Sequence, residues 1–297
     1  MPAFLIFLAY LLLLLALAAG LLPFLDLAVG QIADVRPDRL FYRSAMLFGL
    51  IGLWPLLRWL ALRGHQAWGY DLPRPVFLRQ IGFGWLAGVA ILAGLLVLEW
   101  LGGIRLPNTD IPAAKLGAAL ASGLIGGLAV GFIEETFFRG VMHHALRRSL
   151  SFASTAALTA ALYASLHFTR PPRLTADAEV HWDTGWQLLA GMGAAYQQPW
   201  LLLDSWLALF AVGVFLSLVR ERTGNIALAI GLHAGWVVVI KLGKTATELQ
   251  PDAPLAFLVG SYDGVIGWLA VVWISLLAWL WANKLRAASG QPGKPSN

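Results

Sequence analysis

Runs of about twenty apolar residues recur along this chain with almost no charge inside them, the first at 4–25. As a helix, a run of that length crosses the roughly 30 Å hydrocarbon core of a bilayer. The runs are continuously apolar rather than alternating, which favours helices over a membrane barrel. Only 12% of the residues are charged and 59% are hydrophobic, against about 25% charged in a typical soluble domain. The chain reads as an all-α polytopic membrane protein of about eight transmembrane helices.

The expected spans are 4–25, 44–62, 80–101, 113–147, 152–168, 201–219, 226–240 and 265–281. Trp54-Pro55 should kink the second. Glu99, near the end of the third, is expected to reach the interface. The fourth is longer than a perpendicular crossing and must tilt or project into water. Trp68 and Tyr70, in the connection 63–79, suit headgroup-level anchors. The polar stretch 173–200 reads as an interfacial connector, with a lid as the alternative. Gly224-Asn225 marks a tight turn. We expect one transmembrane domain over 1–286 and a disordered tail over 287–297, rich in Gly, Pro and Ser.

The Lys and Arg residues outnumber Asp and Glu by five. They are scattered singly through short loops, so the lipid bilayer and its anionic headgroups are the expected partner, and nucleic acid is not. Their distribution favours cytoplasmic termini, and the short loops without extra domains suggest an integral protein of a bacterial inner membrane. The first apolar run lacks a basic leader, so it reads as a retained helix rather than a cleaved signal. The chain contains no cysteine, which excludes disulfides, thiolate metal sites and a cysteine nucleophile.

Within the fourth run, G-L-I-G-G-L-A-V-G-F-I-E-E-T-F-F-R at 123–139 places Glu134, Glu135 and Arg139 in apolar surroundings. Ionisable groups at that depth are costly and mark function. On a helical wheel, Glu135 and Arg139 share a face at i,i+4. Glu134 lies about 100° away, on the face of Gly123, Gly127 and Gly131. Such a small-residue stripe admits another helix at close range. Downstream, Tyr163 and His167 fall four apart in the fifth run, and His233 lies in the seventh. His143 and His144 read as interfacial residues. A buried glutamate with an imidazole suits activation of water, and a second imidazole suits hydrogen bonding to an oxyanion.

These residues resemble the motifs of the CPBP family (CAAX proteases and bacteriocin-processing enzymes), also called ABI proteins, which are intramembrane glutamic proteases. E-E-x-x-x-R is matched by Glu134 to Arg139, followed by Gly140. F-x-x-x-H is matched by Tyr163 to His167, with Tyr for Phe. H-x-x-x-N is met by His233, with Val237 at the final position. The resemblance is strongest over 123–240 and implies a helical bundle with the site in its interior and a catalytic core at 113–244. It implies that Glu134 and His167 activate water, that His233 faces the oxyanion, and that Glu135, Arg139 and Tyr163 support the site. No cofactor or metal is expected. The implied substrate is a membrane-associated peptide or protein. Two alternatives remain: a zinc-dependent version, although H-E-x-x-H is lacking, and a non-catalytic immunity or scaffold protein, which Val237 favours. A rhomboid-like serine site lacks its G-x-S-G, a presenilin-like site lacks G-x-G-D, and a transporter would need paired interrupted helices.

Overall fold

The computed structural model describes residues 2–62, 64–260 and 262–289. In chain order the helices are α1 (Pro2–Gly30), α2 (Pro37–Trp59), the single turn α3 (His65–Trp68), α4 (Arg74–Leu101), α5 (Ala113–Glu135), α6 (His143–Arg147), α7 (Phe152–His167), α8 (Thr184–Gly191), α9 (Leu203–Thr223), α10 (Ala227–Ala246) and α11 (Trp268–Ser289). A π-helical segment, Thr136–Met142, joins α5 to α6. Each of the eight expected runs is helical. Six stretches have the length and apolarity to cross a membrane, the longest being Ala113–Arg147, and α11 adds the shorter apolar helix Trp268–Asn283. Of the expected tail, 290–297 lies outside the described residues.

Local chemistry sets the helix ends. Pro37 stands in the first turn of α2, where its missing N–H costs nothing. Ser151 caps α7 by accepting the Ser154 N–H at 3.2 Å. At the other end of α9, Gly224 takes the left-handed conformation (φ 73°) that stops the helix. Asn225 Oδ1 then accepts the Ala227 N–H at 3.0 Å and starts α10, as the turn reading expected.

The organising element is α10, which packs along both α4 and α5. On the α5 side, a Cβ on Gly127 would stand 2.8 Å from the Ala234 carbonyl oxygen, and one on Gly131 would stand 3.1 Å from that of Ile230. These are the stripe glycines, and the close neighbour they admit is α10. On the α4 side the fit is tighter and reciprocal. Side chains on Gly84 and Gly88 would collide with the α10 backbone, and side chains on Gly231 and Gly235 would collide with that of α4. Helix α9 joins α7 and α11 to this slab, while α1 carries α2 and α8. Gly185 of α8 sits directly on the Ala19 backbone of α1, so the 173–200 stretch is partly docked helix. Leu12, Phe24, Ile51, Phe83, Ile125 and Val272 are each more than half exposed, as lipid-facing side chains would be.

One region departs from expectation. β1 (Arg105–Pro107) pairs antiparallel with β2 (Thr247–Leu249), with Arg105 opposite Leu249. Arg105 is buried and donates to Thr247 Oγ1, the Thr247 carbonyl and the Gly264 carbonyl. Glu99, at the end of α4 beside this pairing, is fully buried rather than interfacial, and neither carboxylate oxygen has a hydrogen-bond partner among the described residues.

Candidate active site

Glu134 and Glu135 close α5, just before the π-helical segment. Such segments interrupt α-helices mostly where function needs a local change of register. The regular helix expected through Arg139 is therefore corrected, although the Glu135–Arg139 pairing survives. Gly140 lets the segment press against α3, since a Cβ there would lie 2.6 Å from the Trp68 carbonyl oxygen.

The two carboxylates have opposite surroundings. Glu135 is fully buried. Its Oε1 accepts from Arg139 Nη1 at 3.1 Å and from His233 Nδ1 at 2.9 Å. Arg139, also fully buried, donates from Nη2 to the Gly213 carbonyl at 3.3 Å and lies 4.6 Å from the Tyr163 ring centroid. An ion pair at this depth needs such added hydrogen bonds to offset the cost of desolvation. Glu134, by contrast, makes no hydrogen bond to the described residues. Its buried Oε2 lies 3.8 Å from His233 Nε2, and the residue lines a cavity of about 820 Å³.

That cavity lies among α1, α2, the π-helical segment, α7 and the 262 turn, with mostly aliphatic and aromatic walls. His167, the last residue of α7, forms part of the wall. Its Nδ1–H donates to the Tyr163 carbonyl at 2.8 Å, because a carbonyl can only accept. Nε2 is then the lone-pair nitrogen, able to take a proton. The Tyr163 ring packs between the histidines, with centroids 4.5 Å from His167 and 6.4 Å from His233. Tyr163 thus sits at the centre of the cluster.

The structure therefore brings Glu134, Glu135, Arg139, Tyr163, His167 and His233 into one group, but not all at one surface. His233 is buried behind Glu134 and does not line the cavity. Val237, one turn further along α10, packs toward Gly127 of α5 and is also off the cavity wall. His143 belongs to a different cluster. It is buried rather than interfacial, with Nε2 3.0 Å from Glu221, which also binds Arg147.

Several wall residues were invisible as site residues in the sequence. Trp68 and Tyr70, expected at headgroup level, line the cavity, and Tyr70 bonds the Thr136 hydroxyl at 2.5 Å. Arg170 and Tyr262 lie on the wall beside His167. Arg170 donates to the Tyr262 hydroxyl at 2.5 Å, and that hydroxyl donates to the His167 carbonyl at 3.1 Å. Burial raises the Tyr262 hydroxyl above the ordinary tyrosine range, so it stays neutral and protonated near pH 7. Position three after the motif histidine was the available signal for Arg170.

Fold and site together define a polytopic helical membrane protein with a glutamate–histidine centre in its interior. The family model described as Type II CAAX prenyl endopeptidase Rce1-like matches residues 116–239, a stretch from α5 to α10 that includes every motif residue. That stretch is therefore similar to a CAAX-protease (CPBP) domain, within a chain whose described residues include six helices long and apolar enough to cross a membrane. No curated protein and no solved structure matches the chain.

Proposed function

We propose that this protein is an intramembrane endopeptidase that hydrolyses a peptide bond of a membrane-associated peptide or protein. The reading rests on one observation above the others. Of two adjacent buried-helix carboxylates, Glu135 is committed to Arg139 and His233, while Glu134 faces the cavity without a hydrogen-bond partner. In this reading, Glu134 and the lone-pair Nε2 of His167 accept the proton of a water molecule. The water oxygen adds to the scissile carbonyl carbon. The C–N bond then breaks, and the proton passes to the departing amine. General acid–base help of this kind is worth about 10²–10⁴-fold.

The resemblance assigns His233 to the oxyanion, but because it lies behind Glu134 and off the cavity wall the role proposed here is to hold the Glu134 carboxylate in position. With Nδ1–H given to Glu135, Nε2 donates only when the ring carries both protons, and two carboxylates flank it to balance that charge. Among the described residues, no three His, Asp or Glu side chains converge as a metal-binding group. The proposed unit is the bundle 1–286 with its core at 113–244, set in a bacterial inner membrane with cytoplasmic termini.

The test compares membrane proteomes of cells carrying the wild-type protein or Glu134→Gln. An uncut membrane substrate should accumulate with the variant. A biological effect that survives the substitution would instead mark a scaffold or immunity protein. Loss of wild-type cleavage on chelation, restored by zinc, would mark the metal-dependent version.

A further inference from the structure

We infer that Glu99 and Arg105 form a proton-operated latch on the turn 262–266, the turn that holds Tyr262 against His167. An acid and a base, both buried, lie next to each other here without bonding. Glu99 is fully buried, and neither of its carboxylate oxygens has a hydrogen-bond partner among the described residues. Arg105 is also buried and forms no ion pair among them. Its donors all go to neutral oxygens: Thr247 Oγ1 at 2.7 Å, the Thr247 carbonyl at 3.1 Å and the Gly264 carbonyl at 2.5 Å. Buried charges are normally paired, so a buried arginine beside an unused carboxyl group calls for a reason. The Ile104 N–H donates to the Glu99 carbonyl at 2.8 Å, and this tight return of the chain sets Arg105 close to Glu99.

Few bonds separate this pair from the catalytic centre. Arg105 holds the Gly264 carbonyl, and Asp263 Oδ1 ties the same turn by accepting the Val265 and Ile266 N–H groups at 2.9 and 2.8 Å. Two residues before Gly264, the Tyr262 hydroxyl donates to the His167 carbonyl at 3.1 Å. With its proton on, Glu99 is a neutral acid and Arg105 stays on Gly264, the arrangement observed. Once the carboxyl group gives that proton to water, a full negative charge stands beside the guanidinium. A carboxylate takes arginine in a bidentate fork that a single carbonyl cannot match. Arg105 then turns to Glu99 and releases Gly264, and the turn loosens its hold on His167 through Tyr262. The charged groups around Glu99 are few. β1 supplies Arg105 and the turn supplies Asp263. From α10 comes Lys244, 4.0 Å from Asp263 and 43% exposed, which gives protons a way in from the surface. Glu248 of β2 is engaged with Asn108 at 2.5 Å, and α11 has no charged residue before Lys284.

The experiment uses the full-length protein in vesicles over an acid-to-alkaline series. Hydrogen exchange of the 262–266 amides is read by mass spectrometry and corrected for the intrinsic pH dependence of exchange. Wild type should lose about tenfold or more of its protection as pH rises, as expected when one hydrogen bond from a charged group is lost. Glu248→Gln, at the exposed carboxylate of the neighbouring strand, should lose it in the same way. Glu99→Gln, which cannot ionise, should keep its protection throughout, and Glu99→Leu gives the same reading should the Gln variant not fold. In wild type itself, infrared difference spectra with isotope-labelled glutamate should show a neutral carboxyl stretch that disappears in step with the protection. Cleavage of N-palmitoylated peptides of randomised sequence is followed over the same series. The rate of wild type relative to Glu99→Gln should fall several-fold as pH rises.

Wild-type protection that does not change with pH overturns the inference. So does a loss that Glu99→Gln shares, which assigns the titration to Asp263 or Lys244, and so does a loss with no accompanying carboxyl band. The effect on cleavage rests on the endopeptidase reading above, whereas the exchange measurement does not. A change in exchange with no cutting at any pH leaves the latch standing and counts against that reading. Cutting with no change in exchange gives the reverse result.

Discussion

Glu134 stands between two regions built in opposite ways. Behind it, α10 meets α5 and α4 backbone to backbone, through glycines that leave no room for a side chain. In front, α1, α2 and the π-helical segment stand far enough apart to enclose about 820 Å³. The dense side sequesters Glu135, Arg139 and His233, where hydrogen bonds are strong and an unpaired charge is costly. The open side leaves the neighbouring carboxylate reachable. Two chemically identical residues thus acquire different surroundings from packing alone, and environment commonly decides the roles of paired carboxylates.

The sharpest way to break this comparison is at the carboxylates themselves. Glu134→Gln should lower turnover by about 10²–10⁴-fold with little change in thermal unfolding in detergent, because no hydrogen bond is lost. Arg139→Met should act on stability instead. It strands Glu135 as a buried charge, and losing one partner of such a pair costs about 3–5 kcal/mol, readable as a large drop in Tm. If Glu134→Gln destabilised the protein as strongly as Arg139→Met, the division into a working and a structural carboxylate would fail.

The dense seam is probed next. Gly231→Val places a side chain against the α4 backbone, and such overpacking typically costs about 1–3 kcal/mol. Gly30→Val, where a Cβ meets nothing within 4 Å, should leave Tm nearly unchanged. A seam that accepts valine at Gly231 as readily as Gly30 does would not be close-packed. The smallest effect is expected at Val237→Asn. Val237 packs toward Gly127 and lies off the cavity wall, so turnover should shift by less than the roughly 1.4 kcal/mol that corresponds to tenfold. A larger gain would place the Asn amide within reach of the oxyanion and sharpen the role of that position.

Much of the fold is one-dimensional information. Apolar runs of membrane length, the Gly224 stop and the glycine stripe of α5 were all legible, because each depends on near neighbours along the chain. So was the pairing of Glu135 with Arg139, which helical spacing enforces. The reciprocal glycines Gly84, Gly88, Gly231 and Gly235 carried the same four-residue signal but could not be paired with each other without the fold. The β1–β2 pairing beside Glu99 joins residues 140 to 144 positions apart, and no local pattern foretells it.

Residue types and spacing alone determined that this is a helical membrane protein with an acid–imidazole centre in its fourth, fifth and seventh apolar runs. Tertiary structure decided which glutamate faces the cavity, that His233 lies behind it, and that Arg170 and Tyr262 stand beside His167. The physical reason is that helical periodicity is fixed by backbone hydrogen bonds between near neighbours. Access, burial and unpaired charge depend on which distant surfaces meet.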